Sequence, residues 1–199
     1  MSKLRNSTKA AVIYEKGSPD VFKWEEVEVP NPRENEVRLK NTAIGVNYID
    51  TYHRRGMPHP WPVPELPIVL GIEGVSIVEE LGPDVTEFSI GDRVAYALPP
   101  HGAYSEERVY PVDKLIKIPD FLSNQTDQDL AALMLKGLTA QFLLRRTYRV
   151  KPGDVILVHA AAGGMGLLLC QWAKYLGATV IGTVSSEEKA EQAKAAGSQ

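Results

Sequence analysis

Cysteine is almost absent: Cys170 is the only one among 199 residues. A lone cysteine excludes an internal disulfide and a cysteine-rich zinc site, and it suits a reduced, cytoplasmic setting. Long hydrophobic runs are missing too. No stretch approaches the ~20 apolar residues of a membrane span, and the polar opening MSKLRNST has no apolar segment of a signal peptide. Excess charge of one sign is also lacking. A formal net charge of -3 gives no electrostatic reason to expect nucleic acid or an anionic membrane as partner. There is no internal repeat. What remains is an ordinary globular composition, 44% hydrophobic and 24% charged, with enough apolar residues for one or two cores.

Proline is scarce in one half only. Pro152 is the single proline after Pro119, out of fourteen. Because proline fixes φ and removes a donor, the first part cannot be rich in long helices. It carries short apolar or alternating runs instead: 11–15, 22–29, 36–45, 68–80, 93–98, 105–111 and 115–118. The breaks between them hold glycine and proline, as at Gly17-Ser-Pro19, Gly82-Pro83 and Pro99-Pro100. This pattern predicts a β-barrel-like domain over residues 1–125. The proline-dense segment 56–67 reads as an ordered loop. From 126 to 199 the period changes. A helix is expected over 127–148, a fully buried parallel strand over 155–159, a helix over 164–176, a second strand over 179–184 and a helix over 186–196. Ser185 and Glu188 have capping-box spacing, and Gly197 suits the position after the last helix. Strand–helix–strand–helix is the opening of a doubly wound α/β sheet. The fold class is therefore α/β plus β, with the second domain incomplete at Gln199.

Ala161-Ala-Gly163-Gly164-Met165-Gly166 lies between the first of these strands and its helix. Glycines there let backbone N–H groups approach a pyrophosphate, and the helix N-terminus favours negative charge. The pattern departs from G-x-G-x-x-G at Ala161, and the alternative is a strand–helix turn whose glycines only serve packing. A second absence is informative. An NAD-binding fold places Asp or Glu at the end of the second strand to bond the ribose 2′-hydroxyl. Here Ser185 occupies that place, with Lys189 one helical turn on. A carboxylate would repel a 2′-phosphate, whereas Ser185 can donate to one and Lys189 can supply positive charge. The expected cofactor is NADPH. The alternative for Lys189 is a solvated surface lysine.

Four segments occur together: Asn35–Tyr52 (NEVRLKNTAIGVNYIDTY), Gly91–Val94 (GDRV), Leu135–Thr139 (LKGLT) and His159–Gly166 (HAAAGGMG). In this order they resemble the zinc-free NADPH:quinone oxidoreductases of the medium-chain dehydrogenase/reductase superfamily, the zeta-crystallin-like family. The resemblance runs from about Lys9 to Gly197. It implies a GroES-like β-barrel domain followed by the first part of a Rossmann domain. It also implies a quinone or other small electrophilic acceptor, and a homodimer when full length. Residue by residue, it places Asn47, Tyr48, Asp50 and Tyr52 beside the nicotinamide and the acceptor, with Tyr52, Asn47 and Asp50 as the catalytic candidates. Lys136 and Thr139 fall on the nicotinamide-side half of the cofactor, Gly163, Gly164, Met165 and Gly166 on the pyrophosphate, and Ser185 and Lys189 on the 2′-phosphate. Asn47 and Asp50 also suit a plain role in satisfying turn backbone, Tyr52 one as a core-edge aromatic, and Lys136 one as a surface lysine.

Zinc dehydrogenases of the same superfamily use a cysteine and a Gly-His-Glu motif. Here the stretch is Gly71-Ile72-Glu73, and no cysteine precedes Cys170, so no metal is expected. A quinone is already electrophilic, so the protein mainly has to orient two planar rings and supply hydrogen bonds, with Tyr52 to the acceptor oxygen. Two other functions are consistent with the pattern. One is NADPH-dependent alkenal or enone reduction; the other is a non-catalytic, NADPH-linked RNA-binding or structural role, which no basic patch with interleaved aromatics supports. Two strands are too few for a complete cofactor domain, so a longer or complemented chain is expected.

Overall fold

The computed structural model describes residues 7–57 and 65–199. They form two compact units, Met1–Met134 and Leu135–Gln199. The division falls inside a helix, nine residues beyond the 125/126 boundary expected from composition. The reason is local: the first half of that helix sends Leu130, Ala131 and Met134 against Val75 and Ala95 of the first unit. Arg93 also ties its first turn down through Asp127 and the carbonyl of Gln125.

The first unit is built from antiparallel strands. A three-stranded sheet has the order β2-β1-β4, from β1 (Ser7–Ile13), β2 (Phe22–Glu28) and β4 (Ile68–Val69). A five-stranded sheet has the order β7-β3-β5-β6-β8, from β3 (Glu36–Gly45), β5 (Glu73–Leu81), β6 (Arg93–Tyr96), β7 (Glu107–Pro111) and β8 (Ile116–Lys117). The described residues thus make two sheets rather than one closed barrel. They are stitched by a single bridge, Ala10 to Ser105, with Ala11 N–H to the Tyr104 carbonyl at 2.8 Å and Glu106 N–H to that of Lys9 at 2.9 Å. β3 pairs with both β5 and β7, and its register with β5 shifts at 38/39 and at 41/43; such bulges bend a strand and increase its twist. Val37, Leu39, Val78, Val94, Tyr96 and Tyr110 fill the core.

The apolar run 68–80 is two strands, not one. The chain leaves the first sheet after Val69 and enters the second at Glu73. Gly71 turns it with φ +85°, and a Cβ there would stand 2.5 Å from the Tyr104 ring. Both strands are apolar, so a period count cannot register the change of sheet. A second departure follows β3: residues Tyr48–Arg55 form a helix, α1, where only turn chemistry was expected. It is two turns long, too short to show a helical period, and Gly56 closes it at φ +65°. The proline-dense loop lies mostly at 58–64, outside the described residues.

In the second unit, β9 (Val155–Val158) and β10 (Thr179–Gly182) pair in parallel, Val155 opposite Thr179 and Val158 opposite Gly182. α2 (Asp127–Gln141) widens into a π-helical turn over Phe142–Thr147, where Tyr148 N–H reaches back to the Leu143 carbonyl at 3.2 Å. α3 (Gly164–Tyr175) and α4 (Glu187–Ala195) complete the unit. Its core gathers Leu144, Val158, Cys170, Ala173, Val180 and Ala193. β9 was expected to be fully buried. Instead Val155 is 66% and Leu157 58% exposed, because among the described residues only Ile156 and Val158 face the core under α3. The cap of α4 also differs from expectation. Ser186, not Ser185, is the N-cap, its hydroxyl accepting from Lys189 N–H at 3.3 Å. Gly197 sits past the helix end at φ +113°, as its position suggested. No helix among the described residues is long and apolar enough to cross a membrane.

Candidate active site

In the second unit the site starts where β9 ends. The β-pairing runs on through Thr183 N–H to the Val158 carbonyl and Ala161 N–H to the Thr183 carbonyl, both 3.0 Å. His159 Nδ1 meets the Thr183 hydroxyl at 3.1 Å. Ala160 then takes φ +52° and its carbonyl accepts from Gly163 N–H at 2.8 Å, which closes the loop into α3. The same carbonyl would stand 2.3 Å from a Cβ on Gly166, so Gly166 is required by the turn itself. Ala161, where a first glycine was expected, is fully buried. Its methyl lies 2.8 Å from where a Cβ on Gly182 would be. The missing glycine has moved to the neighbouring strand: Gly182 gives the room that Ala161 takes.

The α3 ladder begins with Leu167 N–H to the Gly163 carbonyl at 2.9 Å. The amides of Gly164, Met165 and Gly166 precede it, and first-turn amides have no partner within the helix, which makes them an anion-binding edge. Beside them opens a cavity of about 500 Å³ lined by Ala160, Ala162, Gly163, Thr183, Val184, Ser185 and Lys189. No carboxylate is among these residues. Lys189 Nζ donates to Ser185 Oγ at 3.2 Å, so the cation and hydroxyl expected at a 2′-phosphate already converge. Lys136 lies along the loop, its Cε 3.3 Å from where a Cβ on Gly164 would be. Thr139 turns its hydroxyl back to the Leu135 carbonyl at 2.7 Å.

In the first unit the candidates gather at the start of α1. Asn47 N–H donates to Asp50 Oδ2 at 2.9 Å, and Asp50 N–H returns to the Asn47 carbonyl at 3.1 Å. The Tyr104 hydroxyl donates to the same Asp50 oxygen at 2.7 Å. Burial, then this bond to Asp50, pushes the Tyr104 hydroxyl far above its ordinary pKa, so it stays a donor. Asp50 thus holds the turn closed, the plain role its position allowed. Asn47 Nδ2 donates to Glu73 Oε2 at 2.6 Å, with both residues buried. Tyr48 is exposed and meets Tyr52 edge to face at 5.3 Å between ring centres; Tyr52 is half-buried.

Sequence reasoning missed Glu73 and Tyr104. Glu73 was visible in Gly71-Ile72-Glu73, where only the lost metal ligand drew notice; a carboxylate inside an apolar strand was the signal. Tyr104 had none, because its partner lies 54 positions away. Among the described residues no group of three or more His, Cys, Asp or Glu is placed to hold a metal ion.

The profile of the alcohol dehydrogenase GroES-like domain matches residues 33–120. The chain is 62% identical over 188 residues to a 2-haloacrylate reductase of Burkholderia sp, which covers 94% of this chain and 56% of that protein. It is 52% identical over 178 residues to a quinone oxidoreductase of Pseudomonas aeruginosa, covering 89% and 53%. A crystal structure of Escherichia coli quinone oxidoreductase complexed with NADPH superposes with a TM-score of 0.89 at 44% identity, over 96% of this chain and 56% of that one. The chain therefore spans a little over half the length of the proteins it matches.

Proposed function

For a chain that belongs to the quinone oxidoreductase family of the medium-chain dehydrogenase/reductase superfamily, we propose NADPH-dependent reduction of a small electrophilic acceptor, a quinone in the first instance. The observation that carries the reading is the cavity beside the glycine loop. It has a lysine and a hydroxyl at its far wall, the first-turn amides of α3 nearby, and no carboxylate among its lining residues. These residues fit a dinucleotide with a 2′-phosphate. The amides of Gly164, Met165 and Gly166, with Gly163 beside them, would hold the pyrophosphate; Ser185 and Lys189 would hold the 2′-phosphate; Lys136 and Thr139 would lie toward the nicotinamide-side half. NADPH, when bound, supplies the reducing equivalents.

The chain's own residues then have to orient and to bond. Asn47, Tyr48 and Tyr52 are assigned to the nicotinamide and acceptor, on an α1 whose first turn Asp50 and Tyr104 hold rigid. The Tyr52 hydroxyl is assigned as donor to the acceptor oxygen, with Tyr48 packed against its ring. Residues 1–125 would then serve the acceptor and 126–199 the cofactor, in a cytoplasmic protein that forms homodimers at full length. Double-bond reduction is the second reading, favoured by the 62% identity to a 2-haloacrylate reductase. Parallel NADPH-oxidation assays of the full-length protein with 1,2-naphthoquinone, an α,β-unsaturated aldehyde and 2-chloroacrylate decide between them. Turnover of the quinone well above the other two is the expected result; preference for either alkene would favour the second reading, and NADPH oxidation with none would reject both.

A further inference from the structure

Three cations converge at a corner of the first unit that none of the assignments above uses. A cavity of about 430 Å³ there is lined by Lys16, Gly17, Ser18, Pro19, Arg54 and Arg55, a volume within the roughly 300–1,000 Å³ of small-molecule sites. No Asp or Glu is among these residues, and among the described residues no carboxylate forms an ion pair with any of the three cations. Asp20, close by in the chain, accepts instead from the Ser18 hydroxyl at 2.9 Å. The backbone holds the corner in shape. Gly17 N–H donates to the Arg54 carbonyl at 3.0 Å, and Arg54 Nε donates back to the Gly17 carbonyl at 3.1 Å. That clasp uses one of the guanidinium N–H groups and fixes the direction of the others, which are set in a rigid fork. Gly56, at φ +65°, leaves room for the Lys16 stem to cross the end of α1, where a Cβ would run into Lys16 Cδ.

Part of this charge has an ordinary cause. A helix C-terminus carries about half a negative charge and attracts cations, and His53, Arg54 and Arg55 stand in the last turn of α1. Half a charge cannot balance three, and Lys16 comes from a different part of the chain. Like charges around one cavity repel each other, and an anion between them removes that repulsion. Two planar guanidinium forks and an ammonium present more donors, in more directions, than the single plane of a carboxylate can accept. The tetrahedral oxygens of a phosphate can accept them. We propose that this corner binds a phosphate group, free or as the ester of a small molecule, between Lys16, Arg54 and Arg55. It shares no residue with the cavity beside the glycine loop, and it does not depend on what the protein reduces.

Calorimetric titration of the full-length protein at constant ionic strength tests it, with inorganic phosphate, glycerol 3-phosphate, acetate and chloride as probes. The parent should bind phosphate more tightly than acetate or chloride. Lys189→Glu, which disables the other candidate phosphate site, should keep this binding. The double variant Lys16→Gln/Arg55→Gln should weaken it at least about tenfold, the loss expected when charge-assisted bonds are removed. Its Tm should match the parent's, because both side chains are exposed. The tighter of inorganic phosphate and glycerol 3-phosphate tells whether the ligand is the free ion or an ester. Phosphate held no more tightly than chloride would be an adventitious ion only, and acetate held as tightly as phosphate would mean a carboxylate site. Binding lost in Lys189→Glu but kept in the double variant would place the phosphate at the glycine loop instead. Each of these three results overturns the proposal. Should the double variant lose Tm, Arg55→Gln alone decides by the same tenfold measure.

Discussion

Lys189 contributes twice to the same corner. Its backbone N–H caps α4 through Ser186, and its ammonium reaches back four residues to the Ser185 hydroxyl. The first role survives any side chain but that of proline at this position; the second needs the cation. Replacing Lys189 by Glu therefore leaves the cap intact and inverts the charge at the wall of the cavity. A charge-assisted bond to phosphate is worth about 1.5–3 kcal/mol, or roughly 10- to 100-fold in affinity. Lys189→Glu should weaken NADPH binding by at least that range and leave NADH binding within about twofold, as measured by titration of nucleotide fluorescence. Equal weakening of both nucleotides would remove Lys189 from the 2′-phosphate site.

At the scale of elements, the entry to α3 is where sequence and geometry constrain each other most tightly. A Cβ on Gly166 would meet the Ala160 carbonyl at 2.3 Å and the Ala161 backbone at 2.6 Å. These neighbours are backbone in a closed turn and cannot swing aside as a side chain can. Gly166→Ala should therefore cost about 1–3 kcal/mol, the usual penalty of overpacking, and should loosen NADPH by displacing the first-turn amides. Gly137 is the natural control: it lies inside α2, and a Cβ there meets nothing within 4 Å. Gly137→Ala should stabilise by roughly 0.5–1 kcal/mol, because alanine loses less backbone freedom on folding than glycine. Urea midpoints of the two variants check both signs; a Gly166→Ala protein as stable as the parent would mean that the loop can relax.

On the scale of the whole molecule, acid should act through the first unit. His53 is buried, and its ring stands edge-on to that of His101 at 4.6 Å. Burial, then the neighbouring His53 and Arg108, hold the His101 imidazole down at a pKa of about 4 against an ordinary 6.5. Above pH 6.5 both the folded and the unfolded chain carry neutral His101, and this group gives no pH dependence. Between 6.5 and about 4 the unfolded chain takes up a proton that the folded chain refuses, so stability falls as pH falls. Below about 4 the folded form binds it too, and the loss levels off. The urea midpoint should decline from pH 7 to pH 4.5, with a visibly shallower slope in His101→Gln. Identical slopes in parent and variant would show that His101 is not the group responsible.

Local chemistry was legible because it is written in adjacent residues. β3 appears over Glu36–Gly45 as its alternation and flanking turns indicated, and a strand, a tight turn and a helix follow one another between Val155 and Tyr175 as the glycine spacing implied. The turn and the helix that follows it depend on residues close together in the chain. The sheet switch at Gly71, the exchange of space between Ala161 and Gly182, and the pairing of Asn47 with Glu73 across 26 positions belong to the tertiary structure alone. Many registers of the same alternating pattern would bury the same apolar residues, so the pattern cannot choose the partner across the sheet. Whether a buried carboxylate is tolerated depends on the donor that meets it, and only the folded chain brings that donor within 2.6 Å.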